Sequence, residues 1–510
     1  MSTSSLVQIA PPAEATFLGN TFSRDGELVY FTRLDEQNPL GALYQVPVLG
    51  GIPRKVLGNV SGAITFSPDS KRFAFSRFLP QQGESYLMAA NTDGSGEQKL
   101  ATRRQPQFLS AYGTSWSPDG KMVACGIGMN DGTSPAQLVV VPVNGGSEQV
   151  LNAQNFGFIF RTLWLPDGSG LVLTATPKES ATRIQIFLVS YPSGQVRRIT
   201  NDLNDYGQSS LGVTEDGKTL VTTQNESSAQ IFVLDANKDS SEAVRVSNGK
   251  YDGMIGLAWT PDAKIVYVAQ SGESIDVWSM NADGANQKQL TVDGEFKMSP
   301  TVSPDGRYVV FAATRSGVSN LWRMELDGSN LKQLMPGNVS SFFPIISPDG
   351  AWVVFNSAGA GNVGLWKVGI DGGEPEQLTN TLSLFPAISP DGNWIAFFSL
   401  DASAGGKPRI AIMPFAGGAV TKWFDISPAF NPDAYPTLRW TPDGNALTYV
   451  DQFNGADNIW RQPVNGGPRK PITDFKSDRI SFFAWSRDGK RLALSHGPVT
   501  TDVILIKDFK

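Results

Sequence analysis

One cysteine and one histidine in 510 residues exclude a good deal of chemistry before any motif is read. With only Cys125 present no internal disulfide can form, so cysteine usage leaves the redox compartment open. Cys125 sits in the apolar run Met122-Val123-Ala124-Cys125 and reads as a core thiol. A Ser-His-Asp triad needs an imidazole beside its nucleophile, and a histidine-rich metal site needs several. His496, in Ser495-His496-Gly497-Pro498, reads instead as a satisfied loop or surface histidine. Gly-x-Ser-x-Gly does not occur, which argues against an α/β-hydrolase elbow.

Long apolar runs are missing too. No stretch reaches the roughly 18 residues of a membrane helix, and Met1-Ser2-Thr3-Ser4-Ser5 lacks the basic and apolar parts of a signal peptide. The expectation is a chain that does not insert into a membrane and carries no export signal. A formal charge of −6, a pI near 5.1 and the lack of a Lys/Arg block give no electrostatic footprint for nucleic acid.

What is abundant is one turn. Variants of apolar-Ser/Thr-Pro-Asp-Gly followed by a short apolar run recur eleven times, with the aspartate or its equivalent at Asp25, Asp69, Asp119, Asp167, Asp216, Asp262, Asp305, Asp349, Asp391, Asp443 and Asp488. The mean period, about 46 residues, is that of four-stranded propeller blades. Ser opens a type I turn, Pro presets φ, Asp tolerates the bridge region, and Gly takes the left-handed position. In the unit around Asp349, strands are expected at Phe343-Pro344-Ile345-Ile346, Trp352-Val353-Val354-Phe355, Leu365-Trp366-Lys367-Val368 and near Glu376-Gln377-Leu378. The recurrent third-strand tryptophans, Trp278, Trp322, Trp366 and Trp460, could form a ligand-stacking ladder, but their fixed place in the repeat favours packing between blades.

The expected fold is therefore all-β, a β-propeller of eleven four-stranded blade repeats. Eleven exceeds the usual four to eight blades per ring, and 510 residues exceed the size at which one core keeps growing. Two rings in series are preferred: five blades over residues 1–237, ending on the third strand Ile231-Phe232-Val233-Leu234, and six over 238–510, opened by Ala243-Val244-Arg245-Val246 and ending on Val503-Ile504-Leu505-Ile506. Leu6-Val7-Gln8-Ile9 is a candidate borrowed outer strand. A four-plus-seven split or one large ring fits the same repeat count.

The units Ser303-Pro304-Asp305-Gly306-Arg307, Leu321-Trp322-Arg323-Met324 and Ala387-Ile388-Ser389-Pro390-Asp391-Gly392 resemble the TolB-type propeller repeat, and the resemblance covers nearly the whole chain. A narrower similarity, carried by Tyr44-Gln45-Val46-Pro47-Val48-Leu49-Gly50-Gly51, Ile199-Thr200-Asn201-Asp202-Leu203-Asn204-Asp205-Tyr206 and Ile472-Thr473-Asp474-Phe475-Lys476-Ser477-Asp478-Arg479, is to the propeller half that follows the membrane span in some bacterial receptor-like serine/threonine protein kinases. That resemblance implies a sensor or binding role, and a periplasmic or extracytoplasmic place in a full-length parent. The chain departs from that pattern in that no kinase domain or membrane helix is read in it, and it is expected to start partway through a first blade.

Function is expected on the loops before each first strand, which reach one rim of the ring and its channel. Reading that place along the repeats gives Arg161, Tyr206, Tyr251, Phe296 with Lys297, Phe342 with Phe343, Phe385, Tyr435, and Arg479 with Phe482. Tyr and Arg are frequent interface anchors; the structural reading is that these side chains plug the channel or cover the rim. The leading expectation is a non-enzymatic module that docks a protein segment or small ligand, with Tyr251, Phe296, Tyr435 and Arg479 as anchors and without cofactor, metal or nucleic acid. Asp202 and Asp205 read as a capped loop rather than a calcium site. The alternatives are a polysaccharide-active enzyme using channel carboxylates such as Asp252, Asp433 or Asp478, which needs two carboxyls about 5 to 10 Å apart, and a structural scaffold fragment.

Overall fold

A computed structural model describes residues 8–11, 15–35, 37–79, 82–129, 134–178, 184–201, 204–272, 274–315, 318–335, 337, 339–357, 363–399, 408–426, 437–453 and 455–509. They form short antiparallel strands, with helical structure confined to single turns such as Ser240–Glu242. The unit around Asp349 shows the repeat: Ser341–Ile346, Trp352–Ser357, Gly364–Gly369 and Glu376–Gln377 lie side by side in that order in one four-stranded sheet. These sheets, repeated along the chain, are the blades of a β-propeller fold.

Side-chain chemistry fixes each turn. Ser303 Oγ donates to Asp305 Oδ1 at 2.5 Å and accepts from Tyr308 N at 2.8 Å, while Asp305 Oδ1 also accepts from Arg307 N at 3.0 Å. Gly306, at φ +75°, closes the turn by donating to Ser303 O at 2.9 Å. Asp305, Asp391 and Asp443 are thereby held ionised below their usual carboxylate range, first by the Ser or Thr hydroxyl and then by the backbone N–H. At the far side of several sheets a second hydroxyl recurs: Thr379 Oγ1 accepts from Leu365 N at 2.8 Å, Thr473 Oγ1 from Ile459 N at 2.8 Å and Thr291 Oγ1 from Val277 N at 3.0 Å. It ties a fourth strand to its own third strand.

That tie also shows where sheets begin and end. Two compact units divide the chain elsewhere than at 237/238: one comprises Met1–Glu226 with Thr501–Lys510, the other Ser227–Thr500. Gln230–Asp235, expected as the last third strand of the N-terminal ring, pairs instead with Arg491–Gly497 in the second unit, with Ile231 opposite Ser495 and Leu234 opposite Leu492. Ser247 Oγ accepts from Ile231 N at 2.9 Å, the same tie as in the sibling repeats. Val499–Lys507, expected to end the second ring, lies next to Thr219–Ser227 in the sheet of the first unit.

Burial explains the exchange. Ile231 packs with Leu257 and Trp259, and Leu234 with Ile459 and Phe483, so that strand is covered on both faces. The 499–507 strand is covered on one face only, through Ile504 and Ile506, and leaves Val503 and Leu505 exposed. Leu6 and Val7 of the candidate borrowed strand lie outside the described residues. Ile9 does not extend the 499–507 strand: its carbonyl accepts from Gly51 N at 3.2 Å, and its side chain packs on Val29, Phe31 and Tyr44 of the first repeat.

Cys125 is a buried thiol whose pKa burial pushes up to about 12. Trp322 packs among Val266, Val268 and Val277 of the preceding repeat and Phe311 of its own, the inter-blade role expected of the third-strand tryptophans.

Candidate functional site

In the second unit the first strands of successive repeats lie against one another, and the last returns to the first through Trp259 Nε1, which donates to Ala484 O at 3.1 Å. Between them is a cavity of about 320 Å³. Three of the first strands carry a bulge just before the turn motif: between Met298 and Thr301, Phe342 and Ile345, and Leu384 and Ala387. The bulged residue stands four before the turn Ser or Thr. In chain order that position holds Gly256, Ser299, Phe343, Phe385, Thr437 and Phe482. Ser299, Phe343 and Phe385 adopt φ of +50°, +52° and +56°, each followed by a proline. Left-handed phenylalanine is disfavoured by its Cβ, and such outliers concentrate where a fold presents a side chain for use.

Phe343 and Phe385 pack as a tilted pair with ring centroids 4.4 Å apart and planes at 48°, and both line the cavity with Phe482, Trp259, Trp440 and Trp485. Two cations join this apolar wall. Arg439 donates from Nη1 to Leu438 O at 2.8 Å, lies 5.1 Å from the Phe482 ring centroid, and has its pKa pushed down to about 10 by burial. Arg487 closes the turn-side end by donating from Nη1 to Pro304 O at 2.5 Å and from Nη2 to Ser303 O at 3.0 Å. No Asp or Glu is among the described residues that line the cavity.

The remaining candidates are placed elsewhere. Phe296 packs at the edge of a core cluster, and Lys297 beside it is fully buried, bonded to Asp276 Oδ1 at 3.1 Å, to Asp293 and to Glu295 O. Tyr251 forms a parallel bridge with Ala229. Arg479 is held by Asp457, Nε to Oδ2 at 2.7 Å. In the first unit, Tyr206 is 3 % exposed in a core cluster with Leu165, Leu211 and Phe509, and Arg161 is buried. Tyr435, Asp433 and Asp202 lie outside the described residues. Of the proposed channel carboxylates, Asp252 is buried and accepts from Gly249 N at 2.7 Å, with burial pushing its pKa up. Asp478 has a left-handed backbone, and its carbonyl accepts from Asp457 N at 3.2 Å. His496 is buried rather than in a loop: it ends the strand Arg491–Gly497 and stacks on Phe475 at 4.6 Å. Arg439 was not singled out from the sequence, although it is the one cation at a repeat position otherwise held by Ala258, Thr301, Ile345, Ala387 and Ala484. Arg487 likewise replaces the proline of its five siblings in this unit.

The family model described as the TolB beta propeller domain matches residues 63–299 and 291–435. The chain belongs to this TolB β-propeller family. Its similarity to individual TolB-family and other proteins is distant. The Tol-Pal system protein TolB of Anaeromyxobacter dehalogenans is 25% identical over 219 residues, 43% of this chain and 38% of that protein. Tricorn protease homolog 1 of Streptomyces coelicolor is 39% identical over 57 residues, 11% of this chain and 5% of that protein. The chain thus spans well under half the length of these curated relatives. Among solved structures, TolB from Acinetobacter baumannii superposes with a TM-score of 0.36 at 15% identity, over 78% of this chain and 82% of that one. No helix among the described residues is long and apolar enough to cross a membrane.

Proposed function

We propose that the chain is a non-catalytic binding module, with five blades in the first unit and six in the second, and that the channel of the second unit takes an apolar peptide segment bearing a negative charge. The observation that carries this reading is the cavity wall: two left-handed phenylalanines in ring contact, further aromatics, and the half-buried Arg439, with no lining carboxylate among the described residues. Aromatic side chains supply contact area at low entropic cost, and a partly desolvated guanidinium rewards a carboxylate that reaches it. A protein segment suits a family one of whose named relatives belongs to a Tol-Pal system. Tyr251, Phe296 and Arg479 would serve as further anchors outside this cavity lining. In a longer bacterial receptor this module would act as the extracytoplasmic sensor or interaction part.

Panning a random dodecapeptide phage library on the full chain tests the reading. Enriched sequences should combine aromatic and acidic residues and should be lost on a folded Phe385→Ala/Arg439→Met double variant. Failure to enrich, or equal retention on that variant, would contradict it.

A further inference from the structure

The first unit has its own version of the bulge position four before each turn. There it holds Gly19, Ala63, Gly113, Arg161 and Ser210, so one long cation stands among four small residues. The strands that carry them are neighbours. A Cβ on Gly19 would come 2.6 Å from Ala63 Cβ, and a Cβ on Gly113 would come 2.6 Å from Arg161 Nη1 and 2.9 Å from its Cδ. Gly113, at φ +146°, is the bare backbone on which the guanidinium rests.

Arg161 is 8 % exposed, and its Nε and Nη1 have no hydrogen-bond partner among the described residues. The Thr114 hydroxyl, beside Gly113, is also buried without a partner there. Burial alone pushes the pKa of Arg161 down, to about 10, so it stays charged at neutral pH. A buried cation without a counter-ion is strongly unfavourable, and proteins keep one where something else supplies the charge. Half-buried rings neighbour Arg161 and Gly113 along the chain: Phe158 and Phe160 lie 4.6 Å apart, and Tyr112 packs edge-on against Phe160 at 5.1 Å.

We propose that Arg161 is the binding residue of a carboxylate site where the first strands of the N-terminal unit meet, taking an acid with an aromatic body. A planar guanidinium fork matches a planar carboxylate, and one cation balances one negative charge, whereas a phosphate dianion would call for a second cation. Thr114 Oγ1 offers a further donor, and the Tyr112, Phe158 and Phe160 cluster an apolar wall. The acid comes either from a small molecule or from the carboxy terminus of a peptide.

Isothermal titration of the full chain with phenylacetate and with N-acetyl-Ala-Ala-Phe separates these sources, and the corresponding amides serve as controls. At least one acid should bind saturably while its amide does not. Equal binding of both acids identifies a small-molecule site, and binding of the peptide alone a chain terminus. Arg161→Met should weaken the acid by about ten-fold or more while unfolding at no lower temperature than the parent, since it removes an uncompensated buried charge. Should that variant not fold, Arg161→Lys is read instead, and the same loss is expected because the planar fork is gone. Absence of saturable binding by either acid, equal binding of the amides, or undiminished affinity in the folded variant would overturn the proposal.

Discussion

Phe343 and Phe385, 42 positions apart in sequence, bring their rings together at a 48° tilt with centroids 4.4 Å apart while both hold left-handed backbone angles of +52° and +56°. The bulge that forces each into this conformation also turns both rings toward the cavity. An aromatic pair is worth about 0.5–1.5 kcal/mol beyond its buried area. A double-mutant cycle of Phe343→Ala and Phe385→Ala, read by urea unfolding, should return a coupling energy in that range. Additive losses would show that the two rings do not support one another.

The turn code makes a prediction of opposite signs. A Cβ on Gly306 would sit at φ +75° and 3.2 Å from Pro261, so Gly306→Val should destabilise by about 1 kcal/mol or more. Ser70 at φ +59° and Ala263 at φ +62° stand in the glycine place of their own turns. Ser70→Gly and Ala263→Gly should therefore be neutral or stabilising by up to about 1 kcal/mol. A loss on restoring either glycine, measured by the urea midpoint, would contradict this account of the turn.

The chain division is testable by truncation. Residues 227–500 contain a complete set of strands for the second unit, whereas 238–510 lacks Gln230–Asp235, whose Ile231 and Leu234 are 0 % and 2 % exposed. The 227–500 fragment should unfold cooperatively in calorimetry, and the 238–510 fragment should not. A cooperative 238–510 fragment would return Ile231 to the N-terminal ring.

With one histidine in the chain, its contribution to pH-dependent stability can be isolated. Burial lowers the pKa of His496 below its ordinary 6.5, against the weaker raising effect of Asp478 and the Ser477 carbonyl. The unfolded chain therefore binds this proton more readily. Stability contributed by the neutral ring is full above about pH 6.5 and is lost as pH falls from there through the lower folded value. The melting temperature of the parent minus that of His496→Gln should fall between pH 7 and pH 5. A flat difference would mean that the imidazole takes up its proton as easily folded as unfolded.

Much of the fold is legible in the sequence because the turn is a local device. Ser303, Asp305 and Gly306 satisfy one another within six residues, and nothing distant is needed to read them. Closure is different. Ile231-Phe232-Val233-Leu234 and Val503-Ile504-Leu505-Ile506 carry the same apolar pattern, and only the partner sheets decide which is covered on two faces. At the candidate site, Phe343 and Phe385 could be picked out as apolar residues before a proline. Tyr251, Phe296 and Arg479 were grouped with them although they stand seven to nine residues before their turns instead of four, since loops of unequal length blur the register. Arg439 and Arg487 escaped notice because their signal is a departure from the repeat.

The most direct test of the binding account is the affinity of one library-selected acidic-aromatic peptide, measured by isothermal titration against the parent, Arg439→Met and Arg409→Met. Arg439 lines the cavity of the second unit, whereas Arg409 lies over Trp423 outside that lining. Loss of a charge-assisted bond worth about 1.5–3 kcal/mol should weaken the peptide by ten-fold or more in Arg439→Met and leave Arg409→Met unchanged. Equal affinity for all three proteins would contradict the account.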